Sequence, residues 1–205
     1  MYTHDKQFIK AGKPFNETDK AILMIHGRGG SAADIISLQR FLKIDDMAIF
    51  APQATNNSWY PYSFMAPEQD NQPALDSAIA IIGEVVEELK VNGVLEEQIY
   101  FLGFSQGACL TLEYTARNAK KYGGIIAFTG GLIGQQLINQ RYQGNFQGTP
   151  ILLTSSDPDV HVPVARVTDT AKVLEDLGGH VTLQFFKNKA HSISREELDL
   201  ANKLF

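Results

Sequence analysis

The chain has 205 residues, 44% of them hydrophobic and 20% charged, enough for one full-size core and unlike a disordered chain. Its net charge of -5, with no dense Lys/Arg stripe, argues against nucleic acid as the main partner; the short Lys120-Lys121 pair reads as a solvated helix end. The single cysteine, Cys109, excludes an internal disulfide, fits a reducing compartment and reads as a small core residue in an apolar stretch.

Residues Met1-Tyr2-Thr3-His4-Asp5-Lys6 lack the apolar centre of a signal peptide. No apolar run approaches the roughly 20 residues that a spanning helix needs. A cytoplasmic protein of one domain, residues 1–205, without a membrane partner is the expectation.

In chain order, residues 7–11 read as an edge strand, and Ala21–Ile25 is a continuous apolar strand. A glycine-rich loop, His26-Gly27-Arg28-Gly29-Gly30-Ser31, follows it. Ser31 and Asp34 fit a capping box ahead of apolar residues. Residues 48–50 form a third strand, and the long connection 52–73 carries Trp59, Tyr60, Tyr62, Phe64 and Met65. Leu75, Ile79, Ile82, Val86 and Leu89 mark one stripe of a helix, with Asn71 and Pro73 at its start. Strands then follow at Ile99–Phe104, Gly124–Phe128, 151–154 and 181–186. A helix runs from near Ser105 to about Asn118. Another follows the stripe Val164, Val167, Ala171, Leu174 and Leu177, opened by Pro163 and closed by Gly178-Gly179. Ser194 and Glu197 fit a second capping box. Short apolar strands alternating with helices imply an α/β fold: a mostly parallel central sheet covered by helices on both faces. Ligands bind such sheets at the carboxyl ends of the strands.

At one such end stands Gly103-Phe104-Ser105-Gln106-Gly107, a G-x-S-x-G between a strand and a helix. That context turns a weak pattern into a nucleophile elbow. The turn is too tight for side chains two residues either side of the serine, and both positions are glycine. The N–H of Gln106 then lies at a helix N-terminus, where an oxyanion forms. A serine nucleophile needs a base, and the base needs an orienting carboxylate. On this architecture the order is serine, acid, histidine. Of His161, His180 and His191, the last sits in the polar loop just past the final strand. His180 opens that strand instead. Asp157 and Asp159 both follow the strand at 151–154, and spacing does not choose between them; Glu197 and Asp199 lie beyond His191, against the chain order. The glycine-rich loop places the N–H of Arg28 as a second oxyanion donor. It lacks the Lys-Ser/Thr of a P-loop and the G-x-G-x-x-G spacing. Trp59 and Tyr60 are expected to wall the acyl or alcohol pocket, a self-packed loop being the alternative. Arg28 is the one cation near the site and is available to an acidic substrate group.

Met24-Ile25-His26-Gly27-Arg28-Gly29-Gly30, the elbow, the stretch from Asp157 to Pro163 and Ala190-His191-Ser192 together resemble the phospholipase/carboxylesterase family. That family includes acyl-protein thioesterases and many small bacterial carboxylesterases. The resemblance runs from about Ala21 to the C-terminus. It implies the α/β-hydrolase fold with little or no cap domain, and it allows a homodimer. The family's acid loop reads Asp-Pro-x-Val-Pro after a strand beginning Pro-Ile. Pro150-Ile151 and Asp159-Val160-His161-Val162-Pro163 match it, so the resemblance gives Asp159 the acid role, with Asp157 as runner-up. It also matches Arg28 and Gln106 to the oxyanion positions. Thioesterase-type members carry Leu and an acidic residue where Arg28 and Gly30 stand, and this chain is short. Both departures point to a small soluble ester rather than a long acyl or protein substrate. Dienelactone hydrolases share the architecture but place cysteine at the elbow, where this chain has Ser105. No metal and no organic cofactor is implied, since H-E-x-x-H and clustered Cys/His are missing. A thioesterase with the same machinery, or a binding protein that kept the fold, are the other readings.

Overall fold

In the computed structural model, which describes residues 2–205, the apolar runs pair into one sheet of seven strands. They are β1 (Phe8–Gly12), β2 (Ala21–Ile25), β3 (Ala48–Pro52), β4 (Ile99–Phe104), β5 (Gly124–Phe128), β6 (Pro150–Asp157) and β7 (His180–Lys187). Their order across the sheet is β1-β3-β2-β4-β5-β6-β7. Every pairing is parallel except that of β1 with β3. Strand β6 outruns its expected end at residue 154 because β7 pairs with it as far as Asp157 opposite Lys187.

The register explains why the central strands are apolar on both sides. Leu23, Phe101, Ile125 and Ile151 lie side by side and face one core. Met24, Leu102, Ile126 and Leu152, one residue on, face the other. Helices α2 (Ala74–Val91), α3 (Gln106–Arg117) and α4 (Val164–Asp176) cover the first face. Helices α1 (Ala32–Ile36) and α5 (Arg195–Ala201) cover the second. Each such side chain taken fully out of water contributes roughly 1.5–3 kcal/mol. An edge strand has less cover: β7 alternates exposed and half-buried positions.

The stripe of α2 is wider than its spacing implied. Leu75, Ile82, Val86 and Leu89 are buried, and so are Ala78, Ile81 and Val85, while Ile79 is only half-buried. Both expected capping boxes are present, Ser31 with Asp34 at α1 and Ser194 with Glu197 at α5. The carboxyl edge of the sheet carries the loop after β2, the long connection 53–73 and the turns after β4, β6 and β7. Among the described residues no helix is long and apolar enough to cross a membrane.

Candidate active site

Ser105 forms the junction between β4 and α3 with φ 53° and ψ −118°. That conformation costs an L-residue roughly 1–3 kcal/mol, so the surroundings must impose it. Ser105 N donates to Phe128 O of β5 at 2.9 Å, and Cys109 N to Ser105 O at 3.0 Å. A Cβ at Gly103 would collide with the carbonyl of Gly107, and one at Gly107 with the carbonyls of Ile25 and His26. The two glycines let α3 start directly against β2 and β4.

His191 Nε2 lies 2.8 Å from Ser105 Oγ, and His191 Nδ1 lies 2.9 Å from Asp159 Oδ2. The other Asp159 oxygen accepts from the N–H groups of His161 at 2.9 Å and Val162 at 3.0 Å. The Asp159 side chain is 1% exposed. Burial pushes its pKa up, but the hydrogen bond from His191 and the two backbone donors outweigh that, and the carboxyl is held below its ordinary value. Asp157, the runner-up, is exposed at the end of β6 and has no contact with His191. The acid loop therefore brings Asp159, and not Asp157, to the imidazole.

The loop bearing His191 is braced by a pair that sequence reasoning missed. Lys189 Nζ donates to the carbonyls of Ala190 and Ser192, the two neighbours of His191, and sits 3.3 Å from Glu197 Oε2. Glu197 is fully buried and also accepts from Thr154 Oγ1 at 2.6 Å. Ser156 Oγ holds Lys189 O at 2.7 Å. Glu197 was legible only as a capping residue; the same carboxylate serves both purposes.

On the opposite side of Ser105, His26 is buried between two backbone partners. Its Nδ1 donates to Gly27 O at 2.7 Å, and its Nε2 accepts from Ala54 N at 3.1 Å. Burial lowers its pKa against the opposing pull of Gly27 O, which keeps the ring neutral. The N–H of Gln106 opens α3 and has no intrahelical acceptor. The N–H of Arg28 opens the turn at Gly29, whose φ is 77°. The Gln106 side chain does separate work: Oε1 accepts from Trp59 N at 2.9 Å, and Nε2 donates to Tyr60 O at 2.8 Å. The residue after the serine thus ties the aromatic connection to the elbow.

A cavity of about 450 Å³ opens over Ser105 and His191. Tyr60, 1% exposed, is part of its lining, together with Tyr62, Phe64, Phe104, Cys109 and Val162. Trp59 is not. The expectation that it walls the pocket is corrected: it is fully buried, and its indole N–H donates to His26 O at 2.8 Å. Buried indoles need an acceptor, and this one lies under the glycine loop, away from the cavity. Cys109 is buried as expected, its thiol pushed up to about 12 by burial. A smaller depression of about 220 Å³ shares Arg28 and Phe104 with the cavity and continues past Leu38 and Ile193. A group bound between the elbow and the glycine loop would meet a hydroxyl polarised by an imidazole and two backbone N–H groups, the requirements for acyl transfer.

Residues 5–204 match the family model described as Phospholipase/Carboxylesterase. Acyl-protein thioesterase 1 of Saccharomyces cerevisiae is 28% identical, over 89% of this chain and 90% of that protein. A probable carboxylesterase of Oryza sativa subsp. japonica is 25% identical over 86% of this chain and 73% of its own. A crystal structure of a phospholipase/carboxylesterase from Dyadobacter fermentans DSM 18053 is 61% identical with a TM-score of 0.98, covering 99% of this chain and 97% of that one. Esterase PE8, 23% identical at a TM-score of 0.79 over 98% of this chain and 96% of its own, shares the fold.

Proposed function

The chain belongs to the phospholipase/carboxylesterase family of hydrolases, and on that premise we propose that it hydrolyses carboxylic esters of small soluble substrates through Ser105, His191 and Asp159. The observation that carries this reading is the unbroken line of hydrogen bonds from Ser105 Oγ through His191 to Asp159. Ser105 Oγ attacks the ester carbonyl while its proton passes to His191 Nε2. Asp159 keeps the Nδ1–H tautomer in place and stabilises the imidazolium. The N–H groups of Gln106 and Arg28 hold the oxyanion. His191 returns the proton to the departing alcohol. Water, deprotonated by His191, then releases the acid from the acyl-serine.

The choice of a small substrate rests on the modest cavity of about 450 Å³ and on Arg28, which stands where thioesterase-type members carry Leu. The thioesterase reading keeps one support, the relatives named acyl-protein thioesterase. The same residues would act on a thioester, so matched oxygen and sulfur esters separate the two. The cytoplasm is the compartment this reading assigns.

The test is turnover of a nitrophenyl ester series, acetate through decanoate. Wild type is expected to cleave the short members, and Ser105→Ala to lose turnover by about 10⁶-fold. A folded wild-type protein inert toward every ester would overturn the proposal.

A further inference from the structure

The chain carries a net charge of -5, yet among the described residues no carboxylate lines its cavity. The ionisable groups there include one guanidinium, Arg28, and two imidazoles, His161 and His191. Arg28 is exposed and has no carboxylate partner among the described residues. It is nonetheless fixed: its terminal nitrogens donate to Ser58 Oγ at 3.0 Å, Pro61 O at 2.8 Å and Tyr62 O at 2.7 Å. The guanidinium also lies 6.0 Å from the centre of the Tyr60 ring. A guanidinium has five N–H donors, so three hydrogen bonds leave capacity for an anion. The other arginines make a useful contrast. Arg117 and Arg141 are neutralised by Glu68 and Glu113. Arg166, held by three carbonyls like Arg28, is buried with Phe64 beneath the cavity. Arg28 is the arginine that is pre-positioned, unneutralised and open to the cavity.

We infer that the cavity selects esters bearing a carboxylate, and that Arg28 is the residue that receives it. A guanidinium held in place by neutral acceptors keeps its charge and loses little freedom on binding, the arrangement that favours bidentate recognition of carboxylates. The inference rests on the esterase reading and deepens it by naming the substrate class.

The test compares matched pairs by proton release at constant pH. Monomethyl adipate against methyl hexanoate puts the charge on the acyl side; 4-acetoxybutanoate against butyl acetate puts it on the alcohol side. Wild type is expected to prefer the anionic member of one pair by about tenfold or more in kcat/KM, the range of a charged hydrogen bond. In Arg28→Gln that ratio should collapse toward one. Because the ratio is read within one protein, any damage to the loop or the oxyanion donor cancels. Should Arg28→Gln fail to fold, wild type at ~0.02 and ~0.5 M salt decides the matter, since the preference must shrink as charge is screened. No anionic preference in either pair, a ratio unmoved by Arg28→Gln, or a salt-independent ratio would overturn the inference and leave Arg28 a clamp for the 58–62 loop. Failure to cleave all four esters would instead strike the esterase reading itself.

Discussion

The two walls of the cleft over Ser105 are held by different chemistry. Apart from the exposed Arg28 clamp on residues 58–62, the wall built from the glycine loop and the aromatic connection rests on neutral, buried groups bonded to backbone. His26 links Gly27 to Ala54, Gln106 grips Trp59 and Tyr60, and His4 lies between Trp59 O and Thr55 N. The wall that carries His191 rests on charge: the Lys189–Glu197 pair beneath the loop and the ionised Asp159 beside the ring. Neutral networks fail when a member is protonated; buried charges fail when a partner is removed. Each wall should therefore have its own weak point.

The largest effect expected on the charged wall is Asp159→Asn. Asparagine can still accept from His161 N and Val162 N, so the loop should keep its shape. The imidazole would lose both its anion and its correct tautomer, and kcat should fall on the order of 10⁴-fold with KM little changed. A matching loss of thermal stability would mean that Asp159 acts mainly as a loop anchor. Next is Glu197→Leu, which strips the half-buried Lys189 of its anion and leaves Thr154 Oγ1 and Ser194 N without their acceptor. Unfolding free energy from denaturant titration should drop by about 3 kcal/mol or more. Replacing Lys189 by Leu as well should recover only the part due to the unpaired ammonium, since the cap and the Thr154 bond stay lost. A drop below ~1 kcal/mol would place this pair with ordinary surface ion pairs and erase the contrast between the walls.

The smallest effect belongs to the neutral wall. Burial lowers the pKa of both His4 and His26 from 6.5, against hydrogen bonds that pull the other way. The unfolded chain therefore binds protons that the folded one refuses. The stability these rings contribute is complete above pH 6.5 and is lost as pH falls through their folded values. Protonation also breaks the bonds from Ala54 N to His26 Nε2 and from Thr55 N to His4 Nδ1. Hydrogen exchange should show the Ala54 and Thr55 amides losing protection below pH 6.5. The His161 and Val162 amides, bonded to an Asp159 whose pKa is lowered from 3.8, should hold to far more acid pH. All four opening together would show one cooperative unit instead of two walls.

Much of this arrangement is legible from local pattern. Strands β2 to β6 are short apolar runs because helices cover both of their faces, and that burial leaves a mark on every residue. The elbow is legible because a strained serine needs a glycine two residues away on either side. Residues 7–11 were expected as an edge strand, and β1 is one, antiparallel to β3. Trp59 and Tyr60 mark where legibility ends. They are adjacent aromatics in one connection and both almost fully buried, yet Tyr60 contributes to the lining of the cavity while Trp59 packs against His26 and His4. Nothing local distinguishes them. The glycine loop offers a carbonyl to the indole, and Gln106 sets the backbone so that only one ring reaches the cleft.

The sequence by itself determined the alternation of strand and helix, the parallel sheet and Ser105 at its turn, since each leaves its mark on residues near one another in the chain. The family resemblance favoured Asp159, but only the tertiary structure brings it to His191 and leaves Asp157 to solvent; it alone pairs a capping glutamate with Lys189 and fixes the Arg28 guanidinium with three neutral acceptors. Those outcomes hang on contacts between segments far apart in the chain, where a distance of a few ångströms separates a partner from a bystander and no periodicity records it.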